Sequence, residues 1–375
     1  MIYLDNNATT KPLPAVQAEM LEYLATKWAN PSSAHSFGLE AKAGVDRARR
    51  AIADLVGTES GMVVFTGSAT EANNTAILSA VRARPSRRQI VACATEHSAV
   101  LAMGQALEAD GCKLVLVKPM ATGIVNLAEL SEVINPETAL VSVMWANNET
   151  GVINPVAEIA ALCRARAVPF HCDAVQAAGK IPIDLRSMPV DYLTLSAHKL
   201  HGPKGIGALV VASQAPFSPM HFGGHQENGR RGGTENVPAI MGFAKAASLA
   251  LTDIATRASR VRELRDRLEQ GILEAVAETV VYGMNAPRLP NTTNIGFNGI
   301  DSDTLVSLLD QRGICVSSGS ACMSDSVAPS HVILAMTGSF QRASEAIRFS
   351  LSYLNSSEEI ERAIAAVKDA VTYLR

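Results

Sequence analysis

The sequence predicts an α/β protein: a mostly parallel sheet with helices on both faces, followed by a smaller α+β unit. Three observations carry this. Strand-like apolar runs alternate with helical stretches from residue 62 to residue 211, the pattern of strands joined by crossover helices. The last two of these strands have only a tight Gly/Pro connection, which requires an antiparallel neighbour. Beyond Val280 the alternation gives way to fewer, shorter strands.

Taken in order, residues 1–4 are a short apolar start and Asp5–Thr10 a polar turn, because Asn and Asp bond their own backbone. Pro12 and Pro14 lead into a helix over 15–25, residues 30–33 form a loop, and an amphipathic helix spans 38–56. Strands follow at 62–66, 90–94, 113–117, 140–145, 169–173, 192–196 and 206–211, with helices at 71–82, 99–109, 127–134 and 156–165. The stretch 206–211 is expected at the sheet edge. Residues 216–238, rich in Gly, His and Arg without periodicity, read as a functional or interface loop. Helices resume at 239–251 and 254–278. Strands at 291–297 and 347–351 and helices at 304–311 and 358–374 complete the chain, and 338–345 reads as a loop. The expected division is a large domain over 15–250 and a small one built from 1–14 and 251–375.

The chain has 375 residues, 47% apolar and 18% charged, with a formal net charge of −3. That suits one large core or two domains and gives no reason to expect nucleic acid or an anionic membrane as partner. MIYLDNNATT has no basic leader pattern, and no apolar segment is long and charge-free enough to span a bilayer. The cysteines are Cys93, Cys112, Cys163, Cys172, Cys315 and Cys322, with no C-x-x-C pair. They read as reduced thiols in a cytoplasmic protein. His198/His201 and His221/His225 lie in Gly/Pro-rich text without helical spacing, and no cysteine pair completes a tetrahedral set, so no intrinsic metal site is expected.

In open α/β sheets ligands bind at the carboxyl ends of the strands. Residues 193–207, LTLSAHKLHGPKGIG, form an apolar strand that ends in Ser196, His198 and Lys199. A partly desolvated amine there has a lowered pKa and attacks carbonyls, and the hydroxyl and imidazole beside it can hold a phosphate. Pyridoxal 5'-phosphate needs both: a lysine for a Schiff base and donors for its phosphate. Gly67-Ser68-Ala69-Thr70-Glu71 opens a helix whose N–H groups favour a phosphate, though Ser68 or Thr70 serves equally as a plain N-cap. His97 follows another strand and could stack on a flat cofactor or move protons. Asn147–Gly151 is a polar turn at the same rim. Asp173 ends a buried strand, where a carboxylate is costly unless paired. A protonated pyridine nitrogen would pair with it and Gln176 would reach the ring's phenolic oxygen, with N-capping by Asp173 as the alternative. Cys322 sits in the small-residue stretch SSGSACMSDS, where a thiol is exposed and reactive or merely incidental.

Together these motifs resemble the class V, fold-type I pyridoxal-phosphate enzymes, and within them the cysteine desulfurases of the NifS/IscS kind. The matching text is YLDNNATT, NPSSAHSFG, FTGSATEANN, SVMWANNETG, HCDAVQAAGK, LSAHKLHGPKG, GGHQENGRRGGTEN, SSGSACMS and IRFSLS, nearly end to end and in the family's order. The resemblance implies a fold-type I transferase fold in which Lys199 carries pyridoxal 5'-phosphate. Asp173 would pair with its ring nitrogen, Gln176 with its phenolic oxygen, and His97 would stack on it and act in proton transfer. Ala69, Thr70, Ser196 and His198 would bind the phosphate, joined by Thr234 across the interface of a homodimer. Asn147, also counted with the cofactor, and Arg348 would hold the substrate carboxylate, with Asn7 close by. Cys322 would take sulfur from L-cysteine as a persulfide, release L-alanine, and pass the sulfur to an iron–sulfur scaffold or another acceptor protein. A cluster shared with the scaffold would be its one metal contact. A selenocysteine lyase or other β-lyase, and an aminotransferase of the same fold, are the alternatives. Met323 and Asp325 depart from the expected Thr or Ser and Gly, and Asp325 could raise the Cys322 pKa.

Overall fold

The computed structural model describes residues 1–188, 190–319 and 329–375. Cys322, Met323 and Asp325 lie outside the described residues. The chain runs β1 (Ile2–Tyr3), α1 (Pro14–Ala25), α2 (Ser36–Val56), β2 (Val63–Thr66), α3 (Ala69–Ala83), β3 (Gln89–Cys93), α4 (Ser98–Ala106), β4 (Lys113–Val117), α5 (Leu127–Val133) and β5 (Thr138–Ser142). It continues through α6 (Val156–Ala165), β6 (Phe170–Asp173), β7 (Tyr192–Ser196), β8 (Gly207–Val211), α7 (Val237–Leu251) and α8 (Ile254–Ala275). The remainder is β9 (Thr279–Val281), β10 (Thr292–Phe297), α9 (Ser302–Gln311), β11 (Ile314–Cys315), β12 (Ser317–Ser318), α10 (His331–Thr337), α11 (Phe340–Ser344), β13 (Ala346–Ser350) and α12 (Ser357–Leu374).

The large sheet has seven strands in the order β2-β8-β7-β6-β5-β3-β4, parallel except for β8. Strand β8 is therefore antiparallel, as its tight connection requires, but it lies inside the sheet. β2 pairs on its far side and takes the edge, so the expected edge position is corrected. Both faces are covered, and the two-residue period of a strand divides its side chains between them. Val63 and Phe65 join the core shared with α2, α6 and α7, whereas Val64 packs under α3 and α4. In α2, Ala41, Val45, Ala48, Ile52 and Leu55 make one buried stripe at helical spacing. His35 accepts from the Gly38 N–H at its start.

The second sheet has the antiparallel order β12-β13-β10-β9. Its core gathers Leu264 and Leu268 of α8 and Ile360 and Val367 of α12 with Ile2 and Leu4 from the chain start. The N-terminal strand reaches it by pairing with β11. The stretch expected as a loop over 338–345 holds α11, whose Ser339 hydroxyl accepts from the Arg342 N–H. Three- to five-residue elements such as β9 and α11 are too short to show a period in sequence. The strand expected over 140–145 begins earlier and ends at Ser142, yet Val143 and Trp145 still donate to the carbonyls of His171 and Asp173.

Candidate active site

The carboxyl ends of β2, β6 and β7 open on one cleft. Its walls bring together Asn7, Ala69, Thr70, His97, Asp173, Gln176, Ser196, His198, Lys199 and Arg348, distant in sequence and all expected from it as site residues.

Lys199 follows β7 in a short 3-10 turn. Its Nζ donates to the carbonyls of Asn7 and Ala8 at 2.5 and 2.7 Å, so the N-terminal turn holds the amine over the cleft. Lys180 lies close by, donating to Gln176 Oε1 at 2.6 Å and Asn7 Oδ1 at 3.2 Å. Burial, with Lys199 and Arg348 near, pulls the Lys180 ammonium well below its ordinary pKa. Gln176 Nε2 donates to the Asn7 carbonyl at 3.0 Å. Asn7 thus gathers both lysines and the glutamine. His198 is neutral near pH 7, its pKa pushed down to about 4 by burial and then by Lys199, Lys204 and Lys180; its Nδ1 lies 3.2 Å from Thr9 Oγ1.

Asp173 is fixed at the end of β6 by two donors. Asn73 Nδ2 reaches Oδ2 at 2.8 Å and the Val175 N–H reaches Oδ1 at 3.0 Å. Behind it, Glu96 is wholly buried, and burial drives its carboxyl well above the usual range. The nearby Asp173 adds to the rise, while the Met144 N–H opposes it. The rise disfavours a second negative charge beside Asp173. Among the described residues on the cleft wall Asp173 is the one acid, facing Lys199, Lys204 and Arg348.

At the opposite wall Arg348 comes from β13, flanked by Asn294 and Ser317 in the neighbouring strands. Its Nη2 donates to Asp5 Oδ1 at 2.6 Å and Nη1 to the Asn148 carbonyl at 3.3 Å. Its Nε is buried with no hydrogen-bond partner, a donor set ready for an incoming carboxylate. Asn147, expected to touch cofactor and substrate, bonds within its own turn. Its Oδ1 accepts from the N–H groups of Glu149 and Thr150, and its Nδ2 donates to the Thr95 carbonyl at 3.1 Å. Its neighbour Asn148 lines the cleft. Thr234 stands with Gly67, Gly205 and Ile206 around an adjoining hollow, not on this cleft.

Sequence reasoning passed over Asn73, Lys180 and Asn148. The signal for Lys180 was its place four residues after Gln176, and for Asn73 its place one turn into the helix that opens at Ala69.

A phosphorylated, flat, cationic-ring cofactor fits these residues. The start of α3 presents backbone N–H groups at Ala69 and Thr70. Bare Gly207 lets β8 back directly onto that start: a Cβ there would fall 2.8 Å from the Ser68 carbonyl carbon and 2.9 Å from the Ala69 nitrogen. The described lining offers hydroxyls and cations that suit a phosphate and one buried carboxylate that suits a ring nitrogen.

The aminotransferase class-V family model matches residues 2–363. A cysteine desulfurase of Enterobacter agglomerans is 46% identical over 375 residues, covering 100% of this chain and 93% of the relative. A solved structure of a NifS-like protein superposes with a TM-score of 0.93 at 35% identity, covering 99% of each chain. A structure described as SspA in complex with cysteine superposes with a TM-score of 0.85 at 31% identity, covering 95% of this chain and 100% of the other.

Proposed function

This chain belongs to the aminotransferase class-V family and is a cysteine desulfurase, and we propose that its cleft holds pyridoxal 5'-phosphate on Lys199 and delivers the sulfur of L-cysteine to Cys322. The observation that carries this reading is the convergence of Lys199, Asp173 and Arg348 on one cleft with a single acid among the described residues of its wall. When bound, the cofactor supplies a carbonyl for amines and an electron sink for a carbanion.

The chain's own residues do the rest. Ala69, Thr70, Ser196 and His198 receive the phosphate, His198 as a hydrogen-bonding group. Asp173, oriented by Asn73 and the Val175 N–H, keeps a proton on the ring nitrogen. Arg348 and Asn148 take the substrate carboxylate, which places the Cα hydrogen toward Lys199. Lys199 removes that proton and returns one later, its amine steered by the Asn7 and Ala8 carbonyls. His97 caps α4 through Nδ1, accepting from the Ala99 N–H at 3.1 Å, which sets its ring against the cleft for stacking and proton transfer.

The Cys322 thiolate attacks the substrate sulfur. An S–S bond forms as the Cβ–S bond breaks, the bonding pair stays with carbon, and protonation gives alanine. Cys322 is left as a persulfide for an acceptor protein, an iron–sulfur scaffold being the partner that the sequence resemblance favours. Two-fold pairing of protomers would bring Thr234 of one chain to the phosphate of the other.

Lys199→Ala tests the cofactor assignment. The variant is expected to lose the visible absorbance of a lysine-linked cofactor while keeping its fold by circular dichroism. A retained protein-linked spectrum would refute it.

A further inference from the structure

Glu149 is 1% exposed, and the chemistry above gives it no task. Its backbone is fixed from both sides: the N–H donates to Asn147 Oδ1 at 2.9 Å, and the carbonyl accepts from Asn294 Nδ2 at 3.4 Å. The side chain then meets two stretches that leave residues 320–328 in opposite directions. Ser330 Oγ donates to Glu149 Oε2 at 2.5 Å while accepting from the Ile333 N–H at 3.0 Å as the cap of α10. Gly319, directly after β12, packs on the same two side chains. A Cβ on it would fall 2.4 Å from Glu149 Oε2 and 2.5 Å from Ser330 Cβ. Its φ is outside the left-handed region, so the glycine is required for space alone. His331 brings Nδ1 to 4.0 Å from Oε1 and places Nε2 3.0 Å from the Glu96 carbonyl. Gly319, Glu149 and His331 also border a hollow that shares His97 with the cleft.

A helix cap alone does not call for this arrangement, because the Ser330 hydroxyl already caps α10. Burying a carboxyl group is costly. Burial raises the Glu149 pKa, with His331, Ser330 and Arg348 pulling the other way. What the carboxyl adds is a connection between Gly319 and Ser330, the residues that bracket Cys322 in the sequence.

We propose that Glu149 is a positioning residue for sulfur transfer: by holding Gly319 and Ser330 against each other, it fixes the two points from which Cys322 is presented to the cleft. This rests on Cys322 being the sulfur acceptor. Misplacing a reacting group by about 1 Å can cost about a hundredfold in rate, so a loosened clasp should slow transfer without weakening substrate binding.

The test compares full-length holoenzymes carrying Glu149→Ala, Glu149→Gln, Gly319→Ala, Ser330→Ala and Cys322→Ala with wild type. Three quantities are measured: the absorbance change on adding L-cysteine, the single-turnover rate of persulfide appearance on the Cys322 peptide by mass spectrometry, and amide exchange over residues 314–319 and 330–337. Glu149→Ala and Gly319→Ala are expected to keep the absorbance change, to slow persulfide formation by about ten- to a hundredfold, and to speed exchange on both sides together. Glu149→Gln, which still accepts from Ser330, is expected to stay within a few-fold of wild type. An unchanged persulfide rate in Glu149→Ala, or exchange that rises on one side only, would overturn the proposal. If Glu149→Ala loses its cofactor, Ser330→Ala decides: a normal rate with normal exchange at 314–319 would refute the clasp. Full alanine production by Cys322→Ala would instead remove the reading beneath it, and the exchange data would still judge the clasp itself.

Discussion

Arg348 meets the cleft with its guanidinium part-engaged by Asp5 and its Nε without a partner. A planar fork suits a carboxylate as a lysine ammonium does not. Losing a hydrogen bond to a charged group costs about 1.5–3 kcal/mol, so Arg348→Lys should raise KM for L-cysteine by about ten- to a hundredfold, with a smaller effect on kcat. Steady-state kinetics checks this; an unchanged KM would place the carboxylate elsewhere. Glu96 makes a prediction of a different kind. Its folded pKa lies well above the ordinary 4.5, so the native state keeps a proton that the unfolded chain releases. Stability therefore falls as pH rises above 4.5 toward the folded pKa. Glu96→Gln removes that proton from the balance. The Tm of the variant minus that of wild type should grow as pH rises above 4.5; a difference that shrinks would reverse the assignment. His171 acts in the opposite direction. Burial holds its pKa at about 4 against an ordinary 6.5, so between these values the unfolded chain binds more protons and stability falls as pH drops.

At the scale of elements, the close approach of β8 to the start of α3 builds the phosphate end of the cleft. Gly207→Ala would press a methyl group into the Leu195 carbonyl and the Ser68–Ala69 peptide, both under 3 Å away. Overpacking of this kind costs about 1–3 kcal/mol, and here it would fall on the phosphate-binding turn. Cofactor released on dialysis should rise in this variant well beyond wild type, and retention equal to wild type would contradict the role given to this contact. Strands β2–β8 and most long helices were legible because continuous apolar runs and helical stripes survive in sequence. The interior place of β8 was not, because strand order depends on which neighbour covers β7, a long-range choice. The same division applies to the site. Lys199, Asp173 and Arg348 were readable from motifs, whereas the place of Asn148 on the cleft wall depends on how the turn is held by the Asn147 amide. That was decided by the Glu149 and Thr150 N–H groups.

Across the whole molecule, the N-terminal turn ties the two sheets together at the cleft. The Asn7 N–H donates to Ser350 Oγ beside the small sheet, and its Nδ2 donates to Thr292 Oγ1 and the Asn148 carbonyl. Its carbonyl receives Lys199 and Gln176. Asn7→Ala keeps the backbone bonds and removes the side-chain ones. It should lower Tm and kcat together, while a neighbouring surface change such as Lys11→Ala moves neither. Calorimetry with steady-state rates checks this, and a loss of Tm with kcat intact would separate the scaffold from the chemistry. The central claim is that the cleft and Cys322 act as one desulfurase. Its most direct test is alanine released from L-cysteine by wild type and Cys322→Ala, each with cofactor bound and a reductant present. Alanine production should be lost in the variant while the absorbance change on adding L-cysteine remains. Production at the wild-type rate would contradict persulfide chemistry at Cys322 and make the protein a β-lyase that needs no cysteine nucleophile.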